Sequence, residues 1–227
     1  MDHPEGQPKH LPGGALWDMD GVLVDSGEFH RESWARVLPE FGIDYSDEVF
    51  QRTFGMNNAG VIEIFKGDRP SPELLEEISD RKEALFRQLI QGRVQALPGV
   101  LDWLQRLDAW GVPQAVASSA PMANVDAVLD ELDVRRYFEA VVSGAGLPSK
   151  PDPAVFLRAA DAIHARPESC LVFEDAVAGV EAAKRAGMAC VAVTTTNPAH
   201  DLQAADLVLD RLTLLSPEGL ARLMAPH

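Results

Sequence analysis

The chain has 227 residues, 46% of them hydrophobic and 24% charged, which is enough apolar material for one folded core with or without a smaller inserted domain. Its 35 acidic and 20 basic residues give a formal net charge of −15, a surface that repels nucleic acid and anionic membranes and excludes a broad basic cleft. No apolar run approaches the ~18 residues that a membrane span needs. A phosphorylated substrate would also be repelled at long range, so a site for one needs local positive charge or a bound cation.

The first dozen residues, MDHPEGQPKHLP, lack the apolar centre of a signal peptide and read as a flexible tail, taken to residue 14. ALWDMD (15–20) then reads as a strand. From 28 to about 95 no strand pattern is present. Helices are expected at 30–41, 46–53, 58–66 and 72–91, the last with apolar residues at 74, 75, 78, 85, 86, 89 and 90. DSGE (25–28) and ALPGV (96–100) bracket this stretch, and their glycines, Gly27 and Gly99, are candidate hinges. From 97 onward short apolar runs alternate with amphipathic ones. They are PQAVASS (113–119), a helix at 122–132, AVVS (140–143), a helix at 153–164, CLVFED (170–175), a helix at 176–186, ACVAVTT (189–195) and LVL (207–209). Such alternation indicates βαβ units and a parallel sheet. The expected architecture is α/β: a Rossmann-like parallel-sheet core (15–27 and 97–227) with an inserted α-helical cap domain (28–96). Cys170 and Cys190 lie in apolar runs and read as buried small residues, not as a disulfide or a metal pair, which fits a reducing, cytoplasmic location.

Parallel sheets bind ligands at the carboxyl ends of their strands. Asp18 and Asp20 fall at one such end, and residues two apart on an extended chain face the same side. Gly21 lets the backbone turn and approach a ligand. Glu174 and Asp175 end another strand. If both strands are central, four carboxylates converge and repel, and an oxygen-loving divalent cation resolves the conflict; Mg²⁺ is the natural choice for phosphate chemistry. Ser118 and Ser119 end a third strand, and hydroxyls beside free helix N-terminal amides make an anion site. Lys150, in GLPSKPDP, supplies a point positive charge. Each element alone has a plainer reading. Ser118 reads as a helix cap, Lys150 as a solvated lysine, and Glu174–Asp175 as a helix N-terminal charge pair. The DMDG tetrapeptide is no calcium loop, since its glycine sits at position four instead of six. The ordered set at four strand ends points to catalysis on a phosphate.

WDMDGVLVDS, VASS, SKPDP and VFEDAVAGVEAAKRAGM, in that order, resemble the four motifs of the haloacid dehalogenase-like hydrolases. The likeness is to the group with a small helical cap, which includes sugar-phosphate phosphatases and β-phosphoglucomutase, and it covers about residues 15–210. Trp17 stands where that family more often has Phe. The resemblance implies that Asp18 is a nucleophile that forms an aspartyl-phosphate and Asp20 the general acid/base. Ser118 and Lys150, with Ser119 and Gly21 beside them, would bind the phosphoryl group. Asp18, the backbone carbonyl of Asp20, and Asp175 would hold Mg²⁺, with Glu174 supporting or joining them. A double role for Asp20 favours a raised pKa, which neighbouring carboxylates can provide. Asp25 is expected to hold a hinge or cap a helix.

Specificity is expected from the cap. A histidine spaced like His30 sits near the acid/base in the mutase subgroup, and a lysine like Lys82 reaches substrate there; the plainer readings are a helix-surface histidine and a solvated lysine. The loop FGMNNAGV (54–61) matches one that faces the site, but the mutases carry arginine where this chain has Asn58, which favours hydrolysis. Trp34, Trp103 and Trp110 read as packing residues. The resemblance thus implies a Mg²⁺-dependent phosphatase acting on a small sugar or polyol phosphate. The alternatives are a β-phosphoglucomutase-like phosphosugar mutase and a non-catalytic binding module on the same fold. A small-molecule phosphate ester is the expected partner, with no nucleic acid and no membrane, and the chain is expected to be a monomer.

Overall fold

The structure is a computed structural model and describes residues 7–225. Strands β1 (Gly14–Trp17), β2 (Gln114–Ser118), β3 (Ala140–Ser143), β4 (Cys170–Glu174), β5 (Ala189–Val193) and β6 (Leu207–Leu209) form one sheet in the order β3-β2-β1-β4-β5-β6. Every pairing is parallel. The inserted helices are α1 (Gly27–Val37), α2 (Asp47–Thr53), α3 (Asn58–Lys66) and α4 (Pro72–Ile90). The core helices are α5 (Val100–Ala109), α6 (Met122–Leu132), α7 (Ala154–Ala162), α8 (Val177–Arg185) and α9 (Pro217–Leu223).

The inner strands β1, β2 and β4 are buried along their whole length because both faces of the sheet are covered. Successive residues alternate between the layers. Ala15, Trp17, Val116, Leu171, Phe173 and Val191 pack toward α5, α6 and α9. Leu16, Ala115, Ala117, Val172 and Cys190 pack toward α7 and α8. Cys170 and Cys190 are free and buried, as expected. The sequence pattern left α5 and α9 unread, although Val100, Trp103, Leu104 and Leu107 all pack against the core at helical spacing.

The cap builds its own small core from Trp34, Val37, Leu38, Phe50, Ile62 and Ile78. Its helix starts are set locally. The side chains of Ser46, Asn57 and Ser71 accept the amides of Val49, Gly60 and Leu74, and Pro72 opens α4. The feet of α1 and α4, at Phe29, Phe86 and Ile90, belong to the main core cluster. The two linkers run side by side: Val24 bridges Ala96, and the Leu97 amide donates to the Leu23 carbonyl at 3.0 Å. Gly99 is no free hinge. Its φ is +92°, and an added Cβ would press on the Leu212–Thr213 backbone, so glycine serves close packing there. The chain also joins the core before residue 15. Pro12 is buried and the Gly13 amide donates to the Ser169 carbonyl at 2.8 Å, while residues 1–6 of the expected tail lie outside the described residues. Among the described residues no helix is long and apolar enough to cross a membrane.

Trp17 shows how a bulky residue is held on the central strand. Its ring stacks on Phe173 at 4.0 Å, and its indole N–H donates to Gln114 Oε1 at 3.0 Å. Gln114 Nε2 in turn donates to the Leu104 carbonyl at 3.0 Å, closing a buried polar relay from β1 through β2 to α5. Gln114→Ala removes both bonds and strands two buried partners. It is expected to cost about 2–4 kcal/mol in equilibrium denaturation; a loss below about 0.5 kcal/mol would contradict the relay.

Candidate active site

The first pair of acids is placed by a turn and not by the strand. β1 ends at Trp17, and the Asp18 amide still donates to the Phe173 carbonyl at 3.0 Å. The chain then curls: the Met19 carbonyl accepts from Val22, Leu23 and Val24, and the Gly21 amide donates to the Val24 carbonyl at 2.7 Å. The extended-chain argument for Asp18 and Asp20 therefore reaches the right cavity by the wrong geometry. Both residues line it, with Gly21 at φ +82° making the turn. An added Cβ at Gly21 would fall on the Asp175 carboxylate, so the absence of a side chain there is what lets β1 and β4 bring their acids together.

Asp18, Glu174 and Asp175 each offer an oxygen within 4.8 Å of the others, and all three are buried. Lys150, 2% exposed, lies among them; its Nζ donates to Asp18 Oδ1 at 2.5 Å and to Glu174 Oε1 at 2.6 Å. The other Glu174 oxygen, Oε2, accepts the Asp175 and Ala176 amides at 2.7 and 2.9 Å, at the mouth of α8. Asp175 is held by Thr196, whose hydroxyl donates to Oδ2, and by Asn197, whose amide donates to its carbonyl at 3.1 Å. Asp175 Oδ1 is buried without a partner. Burial pushes the Asp18 carboxyl up to about 8, with Glu174 and Asp20 adding to the rise against the pull of Lys150. Burial, then Glu174 and Asp18, likewise raise Asp175 well above its ordinary value. Three buried carboxylates against one ammonium, with one oxygen orphaned, form a hard-oxygen donor set that fits a divalent cation.

Asp20 behaves otherwise. Its Oδ1 accepts the Ser26 hydroxyl and lies 3.0 Å from His30 Nε2. Burial alone would raise its carboxyl, but His30, Ser26 and Lys82 outweigh burial and hold it below its ordinary value. The expectation of a raised Asp20 is thus overturned: its nearest charged neighbours are basic, and the raised carboxyls are Asp18 and Asp175. His30 is buried, stacks on Phe86 at 4.0 Å and meets Lys82 Nζ at 2.8 Å through Nδ1. An ammonium only donates, so Nδ1 accepts and Nε2 carries the proton directed at Asp20. Neither His30 nor Lys82 is a solvated surface residue; Lys82 is 2% exposed. Asp25 is exposed, and Ser26, the residue at the N-cap of α1, makes no side-chain capping bond.

The phosphate-side expectations divide. Ser119 lines the cavity. Ser118 is wholly buried, and its hydroxyl accepts the Ala120 amide at 3.1 Å, so it shapes the turn after β2. Phe54, Gly55, Met56 and Asn58 bring the 54–61 loop over the cavity. Asn57 pins that loop to the core. Its amide N–H donates to Ser149 Oγ at 3.2 Å, and its side-chain Nδ2 to the Leu147 carbonyl at 3.2 Å. Trp34 packs in the cap core but also lines the cavity, with Lys82 Nζ 5.0 Å from its ring centroid. Sequence reading missed Ser26, Thr196, Asn197, Glu83 and Asn124. Thr196 and Asn197 carried a weak signal, as polar residues just past a strand end.

A parallel sheet with carboxylates and a lysine meeting beyond the ends of its central strands, beside a set of inserted helices, defines an α/β enzyme with an acidic, oxygen-rich site. The family comparison agrees: residues 13–187 match the haloacid dehalogenase-like hydrolase model, and the chain belongs to that family. Among curated relatives it is 31% identical over 204 residues to validoxylamine A 7'-phosphate phosphatase of Streptomyces hygroscopicus subsp. limoneus, covering 88% of this chain and 93% of that one. It is 32% identical over 191 residues to fructose-1-phosphate phosphatase of Escherichia coli, covering 79% and 95%. In fold it matches the crystal structure of β-phosphoglucomutase from Clostridium difficile with a TM-score of 0.85, at 23% identity and over 94% and 97% of the two chains.

The raised carboxyls set a pH dependence. Folded Asp18, near 8, keeps a proton that the unfolded chain, near 3.8, releases. Stability therefore falls as pH rises between those values. The metal-free protein is expected to lose Tm from about pH 5 to pH 8, and Mg²⁺ to raise Tm more at about pH 8 than at pH 6, because the ion replaces protons. A flat metal-free profile across that window, followed by differential scanning fluorimetry, would refute protonated acids in the cluster.

Proposed function

We propose that this chain is a Mg²⁺-dependent phosphatase that hydrolyses a small phosphate ester, a sugar or polyol phosphate, through an aspartyl-phosphate on Asp18. One observation carries the reading. Asp18, Glu174 and Asp175 meet around Lys150 with an orphaned Asp175 oxygen among them, so negative charge is left for a divalent cation to balance, and that cation with Lys150 would then hold a phosphoryl group. The relatives named above, both phosphatases of phosphorylated small molecules, support the substrate class.

In this reading Asp18 and Asp175, with the Asp20 carbonyl, would hold the ion. Glu174 has both oxygens engaged, so it serves by fixing Lys150 and the start of α8. Bound there, Mg²⁺ supplies Lewis-acid compensation of charge on the phosphoryl oxygens. The Asp18 carboxylate attacks phosphorus, and Lys150 stabilises the phosphoryl oxygens from the opposite side. Asp20, a carboxylate at rest, would take up the proton of a phosphate monoanion, pass it to the departing alkoxide oxygen, and then, again a carboxylate, take one from the water that opens the aspartyl-phosphate. Ser26 and His30 both engage Oδ1, which orients the group and leaves Oδ2 for that exchange. The cap, pinned through Asn57, keeps bulk water from the intermediate. Asn58 gives its amide to Glu83 and presents no cation for a second phosphate, which favours hydrolysis over mutase transfer. Two free, buried cysteines fit a reducing, cytoplasmic setting.

Asp18→Asn is expected to lower kcat/KM for phosphate release by roughly 10³-fold or more. The check is phosphate release from a panel of sugar, polyol and nucleoside phosphates, with and without Mg²⁺. Turnover unaffected by the substitution would end the covalent reading.

A further inference from the structure

One wall of the cavity is built by the inserted helices and the loop 54–61, and its charges are balanced internally. Phe50, Phe54 and Met56 supply apolar surface. Lys82 is the one lysine or arginine among the described residues that line the cavity, and its ammonium is not free. Its Nζ donates to Glu83 Oε1 at 2.9 Å and to His30 Nδ1 at 2.8 Å. Glu83, 4% exposed, takes two more donors: Asn58 Nδ2 on Oε1 at 2.8 Å and, across the cap–core boundary, Asn124 Nδ2 on Oε2. Arg87 Nη1 holds Asn124 through its Oδ1 at 2.8 Å. Burial pushes the Glu83 carboxyl up, but Lys82 and His30 outweigh it, and the group stays ionised below its ordinary range.

We infer that Glu83 determines the charge class of the substrate. By neutralising Lys82 and leaving a carboxylate in the wall, it admits uncharged, hydroxylated leaving groups and turns away a substrate with a second anionic group. The inference rests on the phosphatase reading above and extends it to the far end of the substrate. A hydroxyl entering this wall finds acceptors on Glu83 and polar neighbours in Asn58 and Ser119. A carboxylate or second phosphate finds no unpaired cation and meets the Glu83 carboxylate, so the cost of taking it out of water goes uncompensated. Selectivity of this kind comes from a repulsive element as much as from attractive ones.

The test compares sorbitol 6-phosphate with 6-phosphogluconate, which share a carbon chain and differ at the far end as CH₂OH against carboxylate. Each is assayed with the full chain and Mg²⁺ as a substrate, and as a competitor of p-nitrophenyl phosphate hydrolysis, so the ratio is read even if neither turns over. The wild type is expected to favour the hexitol phosphate by roughly tenfold or more. Glu83→Gln keeps the size and removes the charge; it is expected to shrink that preference at least about threefold, mainly through KM or Ki of the gluconate. Glu83→Asp is expected to retain it. Should Glu83→Gln fail to fold, Asn58→Lys sets a second ammonium against Glu83 and is expected to shrink the preference in the same way. Equal values for the two compounds in the wild type, or a ratio unmoved in whichever of the two variants folds, overturns the inference. No phosphate release from any of the three compounds overturns the phosphatase reading instead.

Discussion

The Lys150 ammonium, clamped between Asp18 and Glu174 at 2.5 and 2.6 Å, is the contact on which the rest of the arrangement depends. It joins the ends of β1 and β4 to the loop that leaves β3, three stretches of chain far apart in sequence. Removing these ions from water is costly, and a buried pair repays that only when its geometry and its remaining hydrogen bonds are good. Here one cation faces three buried carboxylates, so the cluster cannot be neutral with all three ionised. Burial and the neighbouring acids raise the Asp18 and Asp175 carboxyls, while Asp20, facing His30 and Lys82, is lowered. A site in this state is poised to exchange protons for a harder cation.

That constraint reaches outward. Gly21 has no side chain because the Asp175 carboxylate lies where one would be, and Gly179 has none because Glu174 does. Glu174 in turn accepts the amides at the start of α8, tying the carboxylate cluster to a helix N-terminus. The stacked pair Trp17–Phe173 beneath the cluster fixes the spacing of the two strands that deliver the acids, and Gln114 satisfies the indole N–H that such a ring brings into the interior.

The parallel core was legible in the sequence because buried strands and amphipathic helices differ in period, and the bounds of α3, α6, β3 and β6 fall where those periods change. Asp18, Asp20, Lys150, Glu174 and Asp175 were legible because strand ends in such sheets converge, so position along the chain stands in for position in space. The partners of those residues were not. Thr196, past the end of β5, reaches Asp175 at the end of the neighbouring β4, and Asn124 on α6 reaches Glu83 on α4, and no local pattern encodes either encounter. The lowering of Asp20 was equally invisible. Whether a carboxylate sees Asp18 or His30 as its nearer neighbour depends on the turn after β1, which the strand-like pattern of ALWDMD concealed.

The two halves of the cavity balance their charge differently, and this follows from which domain builds them. The core half gathers three buried carboxylates around one lysine, a donor set that fits a divalent cation. The cap half closes its account among Lys82, Glu83, His30 and the two asparagines, and asks nothing of a ligand beyond hydrogen bonds. Because Asn124 sits on α6, the cap's balance is complete only when α4 is docked on the core. Opening the cap would expose Glu83 without its Asn124 donor and lift His30 from Asp20, so docking and the orientation of Asp20 are coupled through a continuous run of hydrogen bonds.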